Sequence, residues 1–483
     1  MNSRFSKFIV PGVILAVSLA AGGAALYRPA YLGNAYYLGA LLFLQGLLAA
    51  IWKYEQRFFP VLVVAFLWAG MSVPFYTVWT AGRWAVLAVG AIVGFALYIR
   101  SEHPRFSTFH LVAMFTVLAA LVSAGVSSFP IVSFMKALSL LLLFLYASTG
   151  ARLALGGREE KFFPRLLFLV EMVVYASVVF YLVLRKPIYG NPNSLGAIMG
   201  VVAVPLLFWG VLTVEGKTRQ RRAIFVLMLS IGLLFYSQAR AGILAALISC
   251  CLTCVALRRY RLLIQGTVAF VCMAALSVAL IPSEPIADMP VQRQDSSLAL
   301  TLLYKGHEEG GLLESRLTPW DETVSVIRRH PWFGSGFGTG LNNSEDDVAV
   351  GEYSTVSAAT REHGNSYLAI LEGVGLLGVL PFMTLVVMLA LKLGGVFTWL
   401  RRSANVGHYV TPVAMVLTAG LVHAGFEDWL FAVGYYLTVF FWVLAFSFLD
   451  ILPVAAPVAV YRPLTDFGFA TVGRNPNIAA SER

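Results

Sequence analysis

The chain reads as an all-α protein, a polytopic membrane helix bundle of about 12 to 14 transmembrane helices with one large periplasmic loop containing amphipathic helices. Three observations predict this. Apolar residues fill 59% of the 483 positions and charged residues only 12%, where soluble domains carry about 25% charged residues. The apolar residues gather in runs close to the ~20 residues that span a bilayer as a helix. Lys and Arg collect in alternate gaps between these runs, the pattern that sets orientation in a membrane. The net charge of +10 therefore reports topology and gives no reason to expect nucleic acid.

Taken in order, the runs fall near 8–27, 35–52, 59–79, 84–99, 107–126, 132–149, 166–184, 195–214, 223–239, 241–257, 263–281, 366–391, 409–425 and 430–449. The first follows Arg4 and Lys7 in the manner of a signal sequence, but the many runs behind it predict an uncleaved helix. Alternate connections carry Lys53 and Arg57, Arg100 and Arg105, Arg152 to Arg165, Lys217 to Arg222, Arg258 to Arg261, and Lys392 to Arg402. This distribution places them in the cytoplasm, both termini inside, and residues 282–365 outside the inner membrane of a bacterium. The expected divisions are spans in 1–281, the periplasmic loop 282–365, C-terminal spans in 366–449, and a loosely ordered cytoplasmic tail 450–483. No internal repeat is visible, which speaks against a secondary transporter. Cys250, Cys251, Cys254 and Cys272 all lie in apolar runs and read as packing residues, not as a redox pair.

Within the loop, Leu317, Trp320, Val324 and Ile327 recur at helical spacing, predicting an amphipathic helix over 318–330. Thr318 would cap it with Pro319 in its first turn, and Pro331 would stop it. Its apolar stripe would lie on the mouth of the bundle and leave Arg316 facing a cavity. The run Gly334 to Gly340 follows no strand, which excludes a dinucleotide fold; it is a re-entrant turn or a backbone nest for phosphate.

Three clusters could carry chemistry. Arg240, preceded by Ser237 and Gln238 and followed by Gly242, sits in a tight turn between two spans, where a guanidinium suits a diphosphate. His363, amid Arg361, Glu362 and Asn365, opens the run at 366; imidazole exchanges protons near neutrality, and Asn365 or Ser366 could cap the helix. His423, Glu427 and Asp428 interrupt the last apolar stretch as a cap or as cavity lining, and Asn193 or Ser194 is a helix cap or a contact to sugar hydroxyls. Lys136, Glu171 and Glu372, costly inside a membrane, would reach interior water or pair with one another.

Ser237 to Gly242, the Arg316 to Gly340 block with its His-Pro-Trp-Phe-Gly-Xaa-Gly, and His363-Gly-Asn-Ser-Tyr-Leu-Xaa-Xaa-Leu-Xaa-Gly-Xaa-Gly together resemble the O-antigen ligase and O-antigen polymerase superfamily of bacterial envelope glycosyltransferases, over residues 187–380. The resemblance implies metal-independent, inverting transfer of a glycan from an undecaprenyl diphosphate carrier to an acceptor hydroxyl at the periplasmic face, with no cofactor. It carries the catalytic positions onto Arg240, Arg316 and His363. Substrate contacts would come from Arg361, Glu362, Asn365, Gln238, Asn193 and Glu427. Ala239 stands where a serine commonly precedes the family's arginine, which removes a possible hydroxyl contact to phosphate. Preorganised arginines would stabilise charge developing on the leaving diphosphate, and His363 would receive or orient the acceptor's proton, with Glu362 second. Partners implied are the lipid-linked donor, a glycan or lipid A core acceptor, membrane lipids and other polysaccharide-assembly proteins. A polymerase is the first expectation and a ligase to lipid A core or protein the second. A lipid-linked glycan flippase or transporter, from a different class, would distribute its charges through several spans.

Overall fold

The structure, a computed structural model, describes residues 3–31, 33–71, 75–101, 106–186, 188–189, 192–280, 314–339 and 363–453. Among the described residues there are helices and turns and no strand. Among the described residues, seven helices are long and apolar enough to cross a membrane, and five shorter apolar helices accompany them. Met1–Leu452 forms one unit. The tail expected from 450 begins inside the last helix, which runs to Ile451, and from 454 it lies outside the described residues.

The centre of the bundle is the Tyr436–Ile451 helix, almost wholly apolar and covered on every side as far as Phe448, with Phe441, Trp442, Phe446 and Phe448 fully buried. A helix with no polar face has no reason to touch water and is stable only as a core element. Phe144 and Trp442 meet edge to face at 5.1 Å, tying it to the Pro130–Ser148 helix. Large apolar side chains left outside, among them Leu15, Ile131 and Leu391, are what a lipid-facing surface requires.

Most of the expected apolar runs are helical, with shifted ends. The span expected at 59–79 ends at Ala69, and a new helix starts at Tyr76. The residues between them, Gly70 to Phe75, are mostly apolar, so hydropathy does not separate the two helices. The span expected from 430 begins at Tyr436, because 425–435 forms a turn. The amphipathic helix of the loop is Glu314–Arg329, starting earlier than expected. Thr318 therefore does not cap it, and Pro319 lies inside, where it can donate no N–H to the carbonyl four residues back. Its covered face centres on Thr323 and Val326, while Leu317, expected in the stripe, is exposed.

Two polar residues assigned to orientation or interior water have specific partners. Arg152 is buried and holds Asp450 through two hydrogen bonds, Nε to Oδ2 and Nη2 to Oδ1, each 2.6 Å, with its guanidinium 5.1 Å over the Tyr98 ring. Glu171 accepts two hydrogen bonds from Arg222 at 2.6 and 2.7 Å and so pairs with neither Lys136 nor Glu372. A charge kept from water this way persists because it is paired and hydrogen-bonded.

Candidate functional site

Helix Ser366–Ser403 is broken at Gly375, whose φ of 68° and ψ of −177° no helix contains. A break inside a membrane exposes backbone groups that must find partners. The glycine-rich segment supplies them. Ser335 and Gly336 donate their N–H groups to the carbonyls of Glu372 and Gly373 at 2.9 and 3.0 Å, and Leu376 and Leu377 donate theirs to Pro331 and Trp332 at 2.8 and 3.1 Å. Ser123 adds a hydroxyl to the Gly373 carbonyl at 2.5 Å, and Ser133 one to Phe337 at 3.0 Å. Lys136 donates to the carbonyl of Gly338. A Cβ on Gly375 would lie 2.4 Å from the Trp332 oxygen, so only glycine admits this approach. The N–H groups of Ser335 and Gly336 are thus spent on the helix break, which leaves the phosphate-nest reading without them.

The break holds the start of the helix, and with it His363, in a fixed place. Asn365 is the N-cap, its Oδ1 accepting from the N–H groups of Tyr367 and Leu368 at 2.9 and 3.2 Å. Ser366 donates to the Glu427 carbonyl at 2.6 Å and accepts from the N–H of Leu430 at 3.1 Å, which binds the helix start to the 425–435 turn. Trp320 of the amphipathic helix donates its indole N–H to the Gly364 carbonyl at 3.3 Å. Arg316 belongs to the first turn of that helix, one turn before Trp320.

His363 is buried between two carboxyl groups. Nδ1 lies 2.9 Å from Oδ2 of Asp428, which also accepts the His363 backbone N–H at 3.0 Å, and Nε2 lies 3.4 Å from Oε1 of Glu372. Burial by itself pulls the imidazole's pKa down, but the hydrogen bonds and charges of Asp428 and Glu372 outweigh it and lift it from 6.5 to about 9. The Glu372 side chain is fully covered, while that of Asp428 keeps 25% exposure. Lys136 lies within electrostatic reach of Asp428, so a second cation stands near the pair. Among the described residues no set of three His, Cys, Asp or Glu side chains converges as metal ligands do.

Arg240 opens the Arg240–Ala256 helix after the turn Ser237 to Ala239, in which Gln238 takes a left-handed φ of 52° and Ser237 accepts the Ala239 N–H at 3.3 Å. The small residues permit contact: a Cβ on Gly200 would lie 2.3 Å from the Gly242 oxygen, so these two backbones touch, as in helix pairs built on small residues. Asn193 and Ser194 lie in the first turn of the Pro192–Ala197 helix rather than at its cap. Tyr436 donates to the Ser194 carbonyl at 3.2 Å and is 3.0 Å from the Tyr435 hydroxyl, where the charge of Glu427 is felt. His363 meets Asp428, whose neighbour Glu427 lies within electrostatic reach of Tyr435; Tyr435 meets Tyr436, which bonds to Ser194, two residues before Gly196, and Gly196 packs on Ala239 beside Arg240. His363 and Arg240 belong to one end of the bundle. Arg361 and Glu362 lie outside the described residues.

Sequence reasoning chose Glu427 from the last turn, but its neighbour Asp428 reaches His363 and caps no helix. An eleven-residue turn has no periodicity to distinguish two adjacent acids. Glu372 left a usable trace, since an acid within an apolar run implies a cation nearby. His423, offered as cavity lining, is buried and accepts the Trp429 indole N–H at 2.7 Å.

Residues 223–383 match the model of a protein family described as O-antigen ligase. The matched stretch contains Arg240, Arg316, the glycine-rich turn, His363 and Glu372, and ends before Asp428. No curated protein matches the chain.

Proposed function

We infer that this protein, which carries an O-antigen ligase domain over residues 223–383 and is a multi-pass membrane glycosyltransferase of the O-antigen ligase and polymerase type, moves a glycan from undecaprenyl diphosphate to an acceptor hydroxyl on the periplasmic side of the inner membrane. The transfer is inverting and needs no metal ion. Arg240 and Arg316 hold the diphosphate and stabilise the charge that gathers on it as the anomeric carbon departs. The observation that carries this reading is the His363 site, an imidazole fixed between two carboxyl groups at the end of the bundle that Arg240 shares.

The geometry favours orientation over proton acceptance for His363. With a pKa near 9 the ring is an imidazolium at neutral pH and has no lone pair to offer. The proton of the acceptor hydroxyl passes instead to Asp428, whose partly exposed carboxylate is steered by the His363 Nδ1–H, while Glu372 keeps the cation in place. Arg361, Glu362, Asn365, Gln238, Asn193 and Glu427 are proposed to line the glycan path. A polymerase extending a polysaccharide is preferred, with a ligase acting on lipid A core as the second reading.

The test uses membranes supplied with undecaprenyl diphosphate-linked repeat units. Arg240→Ala, Arg316→Ala and His363→Ala each abolish transfer while the protein still inserts, and wild-type product from any two would remove the site. A ladder of repeat lengths identifies a polymerase; single addition to lipid A core identifies a ligase.

A further inference from the structure

At the end of the bundle remote from His363, a cavity of about 650 Å³ opens between the C-termini of two helices. The end of the Arg240–Ala256 helix contributes Ala256, with Leu257 and Arg258 just after it, and the Ser366–Ser403 helix contributes Thr398, Arg401 and Arg402. All three arginines are exposed, and none forms an ion pair among the described residues. Seventeen residues separate this cavity from the Arg240 turn, about 25 Å at 1.5 Å per residue, close to the ~30 Å thickness of a hydrocarbon core. The cavity therefore lies where the opposite leaflet has its headgroups.

We propose that this cavity is a binding site for a phosphate-bearing anion, the headgroup of an anionic phospholipid, seated between Arg258, Arg401 and Arg402. The chemistry fits on three counts. Three planar guanidinium groups present paired N–H donors that match phosphate oxygens. The last carbonyls of both helices, the negative ends of their dipoles, repel an anion unless arginines screen them, and here arginines supply the only charged side chains on the wall. Apolar surface at Leu257 and Ala256 adjoins the cations, as an acyl-bearing ligand needs and a free ion does not. The chain's own C-terminal segment is a poor occupant, since residues 454–483 carry Arg462, Arg474 and Arg483 against Asp466 and Glu482.

Binding to juxtamembrane cations is worth about fivefold in affinity per arginine. The test is lipid retention by the purified full-length protein exchanged into bilayer discs of phosphatidylcholine doped with phosphatidylglycerol or cardiolipin, read by mass spectrometry of the bound lipid. The protein retains the anionic lipid over phosphatidylcholine, and the triple variant R258Q/R401Q/R402Q loses that preference by on the order of a hundredfold. R258K/R401K/R402K, which keeps charge but not the planar fork, retains part of it. Displacement by inorganic phosphate at millimolar concentration, with no preference among lipids, identifies a soluble phosphate compound as the occupant and supports the anion site. Equal retention by wild type and the glutamine variant, with both proteins folded, overturns the proposal.

Discussion

Nδ1 of His363 stands 2.9 Å from Oδ2 of Asp428, 65 positions further along the chain. With Glu372 on the other ring nitrogen, this pair raises the imidazole's pKa to about 9. A group whose folded pKa is raised above its unfolded value stabilises the fold fully below the unfolded pKa, and that contribution drains away as pH rises through the folded one. At about 1.4 kcal/mol per unit, the effect is on the order of 3 kcal/mol. The melting temperature of the purified protein is therefore expected to decline from pH 6.5 to about 9 and then level off. His363→Gln should flatten that decline; an unchanged slope in the variant would place the titration elsewhere.

The same protonation decides how transfer depends on pH. If the imidazolium orients Asp428, the rate falls as pH passes through about 9; if the ring is the base, it rises over the same interval. Asp428→Asn removes the stronger hydrogen-bond partner. The variant should lose at least tenfold in kcat, with a smaller change in KM, and the midpoint of its alkaline limb should move below 9. Single-turnover rates across pH 6 to 10 measure both.

Gly375→Ala should prevent the loop from docking. The new methyl would collide with the Trp332 oxygen at 2.4 Å and the Gly334 nitrogen at 2.5 Å, both backbone atoms that cannot swing aside. Failure to dock strands the freed backbone groups of Glu372, Gly373, Leu376 and Leu377, at about 1 to 3 kcal/mol for each one left unpaired. Faster proteolysis between residues 331 and 339, with reduced thermal stability, is the expected result.

Trp320→Phe keeps a ring but loses the bond to the Gly364 carbonyl. The stability cost should be about 1 kcal/mol. Activity should fall further than that cost explains, because this bond sets the helix carrying Arg316 against the turn carrying His363. A variant with reduced stability and full kcat would show that the helix merely packs there.

The apolar runs and the distribution of cations make the helical membrane bundle legible from composition alone, because a lipid solvent leaves the backbone few alternatives. Arg240, Arg316 and His363 stand out in the sequence as charged or titratable residues beside apolar or amphipathic runs, and each lies at or next to the start of a helix. The end of one helix at Ala69 and the start of the next at Tyr76 were not legible, since the residues between are mostly apolar and hydropathy records only polarity. Asp428 and Glu427 could not be told apart, because the choice depends on which carboxylate a distant histidine meets.

What the amino-acid order settled by itself is that this chain is a bundle of apolar helices and which stretches between them are polar. Folding decided the partners: the glycine-rich turn mends a broken helix, Glu171 goes to Arg222, and His363 comes to lie between Asp428 and Glu372, whose charges raise its pKa. Burial energy is local and can be summed residue by residue, whereas the charge state of an imidazole depends on groups that only the packed helices bring within 4 Å.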